Sequence, residues 1–132
     1  LALDMPALAD EDLPVAEIAP ILNQHPCETS CKVKGKLFDY TLEPVDLNGD
    51  GRREYLVRDE SRCGSGGCAE ALFMRVGNDW KKLLGNFGSL QVMNTRTKGF
   101  ADVVVSYSLH DPNKRTVQKT YRWDGQQYRA RK

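Results

Sequence analysis

A chain of 132 residues, 40% hydrophobic and 28% charged, is long enough to bury a core and reads as a soluble globular protein. Its formal net charge of +1 excludes a strongly basic or acidic protein, and no apolar run approaches the ~20 residues of a membrane span, which excludes a helical membrane protein. No signal peptide is visible at the start, so the chain reads as a mature form, with a signal or lipid anchor ahead of residue 1 left open.

Residues 1 to 12 are acidic and aperiodic and read as a flexible arm ahead of a single β domain spanning 13 to 132. Six acids and no Lys or Arg precede Lys32, leaving 19 bases against 12 acids in the remainder. Asp12 can cap a helix with Pro14 in its first turn, and Val15, Ile18, Ala19 and Leu22 then share a face. Pro20 lacks an amide hydrogen, so the spacing predicts one short, bent helix ending near Gln24 and packing on a sheet. Four cysteines allow three connectivities, of which the two local bridges Cys27–Cys31 and Cys63–Cys68 are the simplest. Zinc, with His25 as a further ligand, is the competitor, but the second pair encloses GSGG, which is wider and looser than a zinc knuckle. Disulfides point to an oxidising compartment, so a periplasmic or secreted protein is expected.

From residue 35 the chain reads as a meander of hairpins, with strands near 35–46, 53–60, 69–76, 80–84, 89–94, 100–109, 115–123 and 127–131. Within it, DLNGDGRRE places Asp46, Asn48, Asp50 and Glu54 at the first, third, fifth and ninth places of a loop whose sixth place is Gly51, with the carbonyl of Arg52 at the seventh. A hard cation needs six to eight oxygens at ~2.4 Å, and alternate residues of a tight turn can point inward together, so calcium is the expected cofactor. Val57 stands where a helical EF-hand needs its bidentate acid, and the run Glu54, Tyr55, Leu56, Val57 is β-prone, so the ion is expected in a strand-to-strand turn. Over about nine residues this loop resembles the calcium hairpins of FG-GAP repeats in integrin-type propellers.

Sliding the chain by 48 residues lays Leu42 on Leu90, Glu54 on Asp102, Val57 on Val105, Phe73 on Tyr121, Gly77 on Gly125 and Trp80 on Tyr128. The expected fold is therefore mainly β: two tandem four-strand propeller-blade-like antiparallel units, about 40–84 and 88–132, with a short N-terminal helix. Asn94, Arg96 and Lys98 replace the ligands of the first unit, and a cationic side chain is expected to do there what calcium does in the first. The basic residues after Lys114 alternate with Thr120, Tyr121, Trp123 and Tyr128, as on the solvent face of a strand pair, so no nucleic-acid partner is expected.

No catalytic set is legible. His25 and His110 lack a neighbouring nucleophile, Ser65 follows Cys63 and Gly64 rather than the glycine pattern of a nucleophile elbow, and the neighbours Asp59 and Glu60 point to opposite faces of a strand. Trp80, Trp123, Tyr107, Tyr121 and Tyr128 can form a sugar platform, although strand alternation favours a core role. The turn, CGSGGC and the closing YRWDGQQY together resemble small secreted bacterial proteins related to periplasmic immunity proteins and lysozyme inhibitors. That resemblance implies a non-enzymatic protein that occludes a peptidoglycan hydrolase or toxin effector. Arg62, Ser65 and Gly66 on one tip and His110, Asp111 and Lys114 on the equivalent tip are the expected contact residues. The alternative is a secreted glycan-binding or adhesion module with a structural calcium.

Overall fold

The computed structural model describes residues 13–25, 27–34, 39–50, 54–64, 66–109, 112–113 and 115–131. The acidic arm and the Asp12 cap lie outside them. Helix α1 (Val15–Gln24) starts after Pro14, which adopts extended backbone at the cap instead of entering the first turn; its carbonyl accepts the amides of Glu17 and Ile18. Pro20 lies inside α1 without ending it. Having no amide hydrogen, Pro20 cannot donate to the Ala16 carbonyl four residues back, and both residues lie on the exposed side of the helix, open to solvent.

The strands form two open antiparallel sheets. The first, sheet A, runs in the order β1 (Cys31–Lys34), β2 (Asp39–Val45), β3 (Glu54–Gly64), β4 (Gly67–Val76), β5 (Asp79–Phe87). The second, sheet B, runs β6 (Ser89–Thr97), β7 (Phe100–Ser108), β8 (Thr116–Trp123), β9 (Tyr128–Ala130). The first unit is thus five-stranded, not four-stranded. Its extra strand, β1, has only alternate half-buried residues and begins at Cys31, whose bridge to Cys27 ties it to the end of α1. Strand β5 runs on to Phe87, past the expected end at 84, and the glycine after it is the crossing between sheets, not a hairpin turn.

The two sheets share one internal register. Leu42 faces Val57, Tyr55 faces Phe73 and Arg75 faces Trp80; 48 residues on, Leu90 faces Val105, Val103 faces Tyr121 and Trp123 faces Tyr128. Corresponding faces, however, meet different surroundings. One face of sheet A, carrying Tyr40, Leu42, Tyr55, Val57, Ala71 and Phe73, packs under Leu13, Ile18 and Leu22. Three polar contacts fix α1 and the segment after it there: Tyr40 Oη donates to Glu17 (2.7 Å), Trp80 Nε1 donates to Asn23 (2.8 Å), and Tyr55 Oη accepts the Cys27 amide (3.2 Å). The opposite face of sheet A, with Leu56, Leu72 and Leu84, packs on Leu90, Val103, Val105, Trp123 and Tyr128 of sheet B.

At the crossing, Gly88 donates its amide to the Cys68 carbonyl at 2.8 Å, and a Cβ there would lie 2.3 Å from the Ser106 carbonyl oxygen, so only glycine lets the sheets meet this closely. Beside it, buried Glu70 accepts Arg58 Nε (2.7 Å) with one oxygen and the Leu90 amide (2.9 Å) with the other, joining β4 to β6. Glu70→Ala leaves that buried amide without an acceptor and is expected to cost about 2–3 kcal/mol in chemical denaturation. At the repeat-equivalent but exposed Gln118, alanine is expected to change stability by less than about 0.5 kcal/mol.

Candidate metal site

The residues between β2 and β3 gather three carboxylates. Side-chain oxygens of Asp46, Asp50 and Glu54 lie within 4.8 Å of one another, the first two exposed and Glu54 buried. The turn is organised by its own side chains: Asp46 Oδ1 accepts the Gly49 amide (2.9 Å) and Asn48 Oδ1 the Asp50 amide (3.3 Å), while Gly49 takes φ 73°. Asn48 therefore stands in the loop with its oxygen turned to the backbone. Gly51 and the expected ligand Arg52 lie outside the described residues.

Glu54 is held in place by the chain it closes. It opens β3, is 2% exposed, and accepts the Leu47 amide at 2.6 Å through Oε1. Burial pushes its carboxyl up to about 7, and the nearby Asp50 and Asp46 charges add to the rise against the lowering effect of the Leu47 bond. Three converging carboxylates can hold a metal ion, and an all-oxygen set suits a hard one. Between the ligands, Leu47 is fully buried in the sheet B core, and its carbonyl accepts the Ala101 amide (2.7 Å) and Arg96 NH1 (3.2 Å). The loop thus both carries the acids and clasps the second sheet.

The second unit treats its equivalent acid differently from the sequence expectation. Asp102, at the place of Glu54, accepts the hydroxyls of Thr95 (2.6 Å) and Thr97 (2.7 Å), one on each oxygen. Burial raises its carboxyl pKa, but these two bonds, with Arg122 nearby, outweigh it and hold the group below its ordinary value. Lys98 instead occupies the hairpin turn at φ 50°, and its Nζ donates to the Asp124 carbonyl at 3.2 Å. The two threonines had no sequence signal, because their role depends on where the Lys98–Gly99 turn and the irregularity between Val92 and Arg96 aim them.

Both disulfides form as expected, Cys27 with Cys31 and Cys63 with Cys68, and no cysteine is free; both suit an oxidising environment. Among the described residues no helix is long and apolar enough to cross a membrane. Of the expected contact residues, Ser65, His110, Asp111 and Lys114 lie outside the described residues. Gly66 stands on the β3–β4 tip, where a Cβ would sit 3.5 Å from the Ser108 carbonyl, so this tip and the end of β7 are on the same side of the molecule. Arg62 serves the interior, with Nε 3.2 Å from Oδ2 of the fully buried Asp59. The five aromatics join the cores: Trp80, Trp123 and Tyr128 are buried, and Tyr107 and Tyr121 pack partly buried against the sheet B cluster. Comparison of the chain with protein-family models, curated proteins and solved structures returns no match.

Two expectations follow from the unlike acids. Because Glu54 has a folded-state pKa of about 7 against an ordinary value of 4.5, the folded state binds its proton more tightly, and the stability this supplies is lost as pH rises from about 4.5 through 7. In chelator, wild type should therefore lose stability relative to Glu54→Gln across that window, as read by thermal melts of the two proteins side by side. In sheet B, Thr95→Val with Thr97→Val should cost about 1–3 kcal/mol by denaturation, whereas Lys98→Ala should cost less than about 0.5 kcal/mol.

Proposed function

We propose that this chain is an extracytoplasmic, calcium-stabilised, non-enzymatic binding protein that occludes a secreted cell-wall hydrolase, as an inhibitor or immunity protein of the periplasm or secreted fraction. The observation that carries this reading is the shape of the β3–β4 hairpin. Pairing with β2 stops at Tyr40–Asp59 and pairing with β5 stops at Ala69–Phe87, yet β3 and β4 remain paired through Cys63–Cys68 and Gly64–Gly67. The tip therefore extends past both neighbouring strands among the described residues, and a disulfide closes it. A tip restrained in this way loses little conformational entropy on docking, which is what a convex inhibitor entering a hydrolase cleft requires.

Calcium is the ion favoured for Asp46, Asp50 and Glu54, with Asn48 bracing the turn that brings them together. The ligands are oxygens, their spacing resembles the FG-GAP hairpin, and disulfides belong to compartments where calcium is plentiful. With a dissociation constant of ~0.1–1 mM, millimolar calcium adds about 1 kcal/mol to stability by mass action. The matched registers and face-to-opposite-face stacking of the two sheets fit tandem propeller-blade-like units. A platform of several stacked Trp and Tyr rings has less support, because Trp80, Trp123 and Tyr128 are buried in the cores.

The test is inhibition of a panel of purified muramidases, amidases and peptidoglycan endopeptidases. Stoichiometric inhibition of one class is expected, with about tenfold loss when Cys63→Ser and Cys68→Ser open the tip. Inhibition of none overturns the reading. Separately, millimolar calcium should raise the melting temperature of wild type and leave Asp46→Ala, Asp50→Ala unmoved; an equal rise in both removes calcium from the loop.

A further inference from the structure

We propose that the cleft between the β3–β4 tip and sheet B is a binding site for a short neutral saccharide. Its floor is backbone. Gly67, at φ 126°, lies so close to the crossing that a Cβ would sit 2.7 Å from Gly88 Cα, and Gly88 in turn abuts the Ser106 carbonyl. Around this contact lies a space of about 400 Å3, lined by Arg58 and Glu70 of sheet A and by Ser89, Tyr107, Ser108 and Thr116 of sheet B. Ligand pockets run from roughly 300 to 1,000 Å3, so the space suits a mono- or disaccharide-sized guest.

The lining chemistry selects among guests of that size. Arg58 and Glu70 are paired at 2.7 Å, so the wall they form is polar but neutralised and gives no preference to an anion or a cation. Serine and threonine hydroxyls both donate and accept, matching groups that do the same, and sugars present such groups along a ring edge. Tyr107 packs half-buried against the sheet B core, with the Lys119 ammonium 6.0 Å from its ring centroid, and among the described residues of the lining it is the aromatic that can meet the C–H face of a pyranose.

The test is amide chemical-shift titration of the full chain with cellobiose, maltose and diacetylchitobiose, and with triglycine as a peptide control. One disaccharide is expected to shift the Gly66, Gly67, Gly88 and Ser108 amides saturably, and Tyr107→Ala should weaken that binding at least tenfold while the amides of α1 keep their positions. Should Tyr107→Ala unfold, Thr116→Trp at the exposed mouth should block the same shifts. Absence of saturable shifts with any disaccharide, shifts confined to another surface, binding unaffected by these substitutions, or a response to triglycine alone would each overturn the assignment.

Discussion

Sheet A is apolar on both faces, and that constraint organises the rest of the chain. A sheet with one wet face needs one covering layer; this one needs two. Helix α1 with Leu13 covers the face of Tyr40, Leu42 and Phe73, and sheet B covers the face of Leu56, Leu72 and Leu84. The same constraint explains where the stacking ends. The outer face of sheet B corresponds, residue for residue, to the face by which sheet A meets sheet B, but exposed Gln118 stands at the place of Glu70, half-buried Thr120 at that of Leu72 and exposed Arg122 at that of Met74. A third layer would find little to bury there, and the polar substitutions act as the cap a repeat array needs at its end.

Burial alone does not set how two twisted sheets lie on each other, because the hydrophobic effect is non-directional. Direction comes from hydrogen bonds at two ends of the contact. At one end the Leu47 carbonyl accepts Ala101 N and Arg96; at the other, Gly88 N reaches Cys68 O and Glu70 reaches the Leu90 amide. Both clasps use residues from turns or crossings that pack as tightly as the strands. The proposed calcium loop is one of these clasps, so an ion there would act on the sheet-to-sheet contact as well as on its own turn. The proposed saccharide cleft lies at the other.

Much of this was legible because strand alternation and a tandem repeat are properties of spacing. The 48-residue shift that aligned Leu42 with Leu90 and Trp80 with Tyr128 in sequence is the shift at which the strand registers coincide. The cysteine pairing, the acidic turn and the core role favoured for the aromatics followed from the same local patterns. What escaped depends on long-range geometry. Strand β1 is too short to announce itself and is placed by its bridge to Cys27. Glu70 and Asp59 carry no signal of burial in the sequence, because their partners, the Leu90 amide and Arg62, are brought up only by the sheet crossing and by the irregularity after Asp59.

The two repeat-equivalent acids show how one structural problem was solved twice. An acid near the start of β3 and of β7 is buried beside the turn before it, and a buried carboxylate must be neutralised, paired or protonated. In sheet B, Asp102 is shorter than Glu54 and is met by two threonine hydroxyls, which keep it ionised without any ion. In sheet A, Glu54 accepts the Leu47 amide through Oε1 but has two acids for neighbours, and burial pushes its carboxyl up towards neutrality. The first arrangement is self-sufficient; the second is improved by any cation that can bridge three carboxylates. Asn94 and Lys98 stand where the first unit has Asp46 and Asp50, which frees the second unit from that demand, and Arg96, at the place of Asn48, reaches across to the Leu47 carbonyl and holds the loop that retains it. The unit that lost its acids thus supports the turn of the unit that kept them.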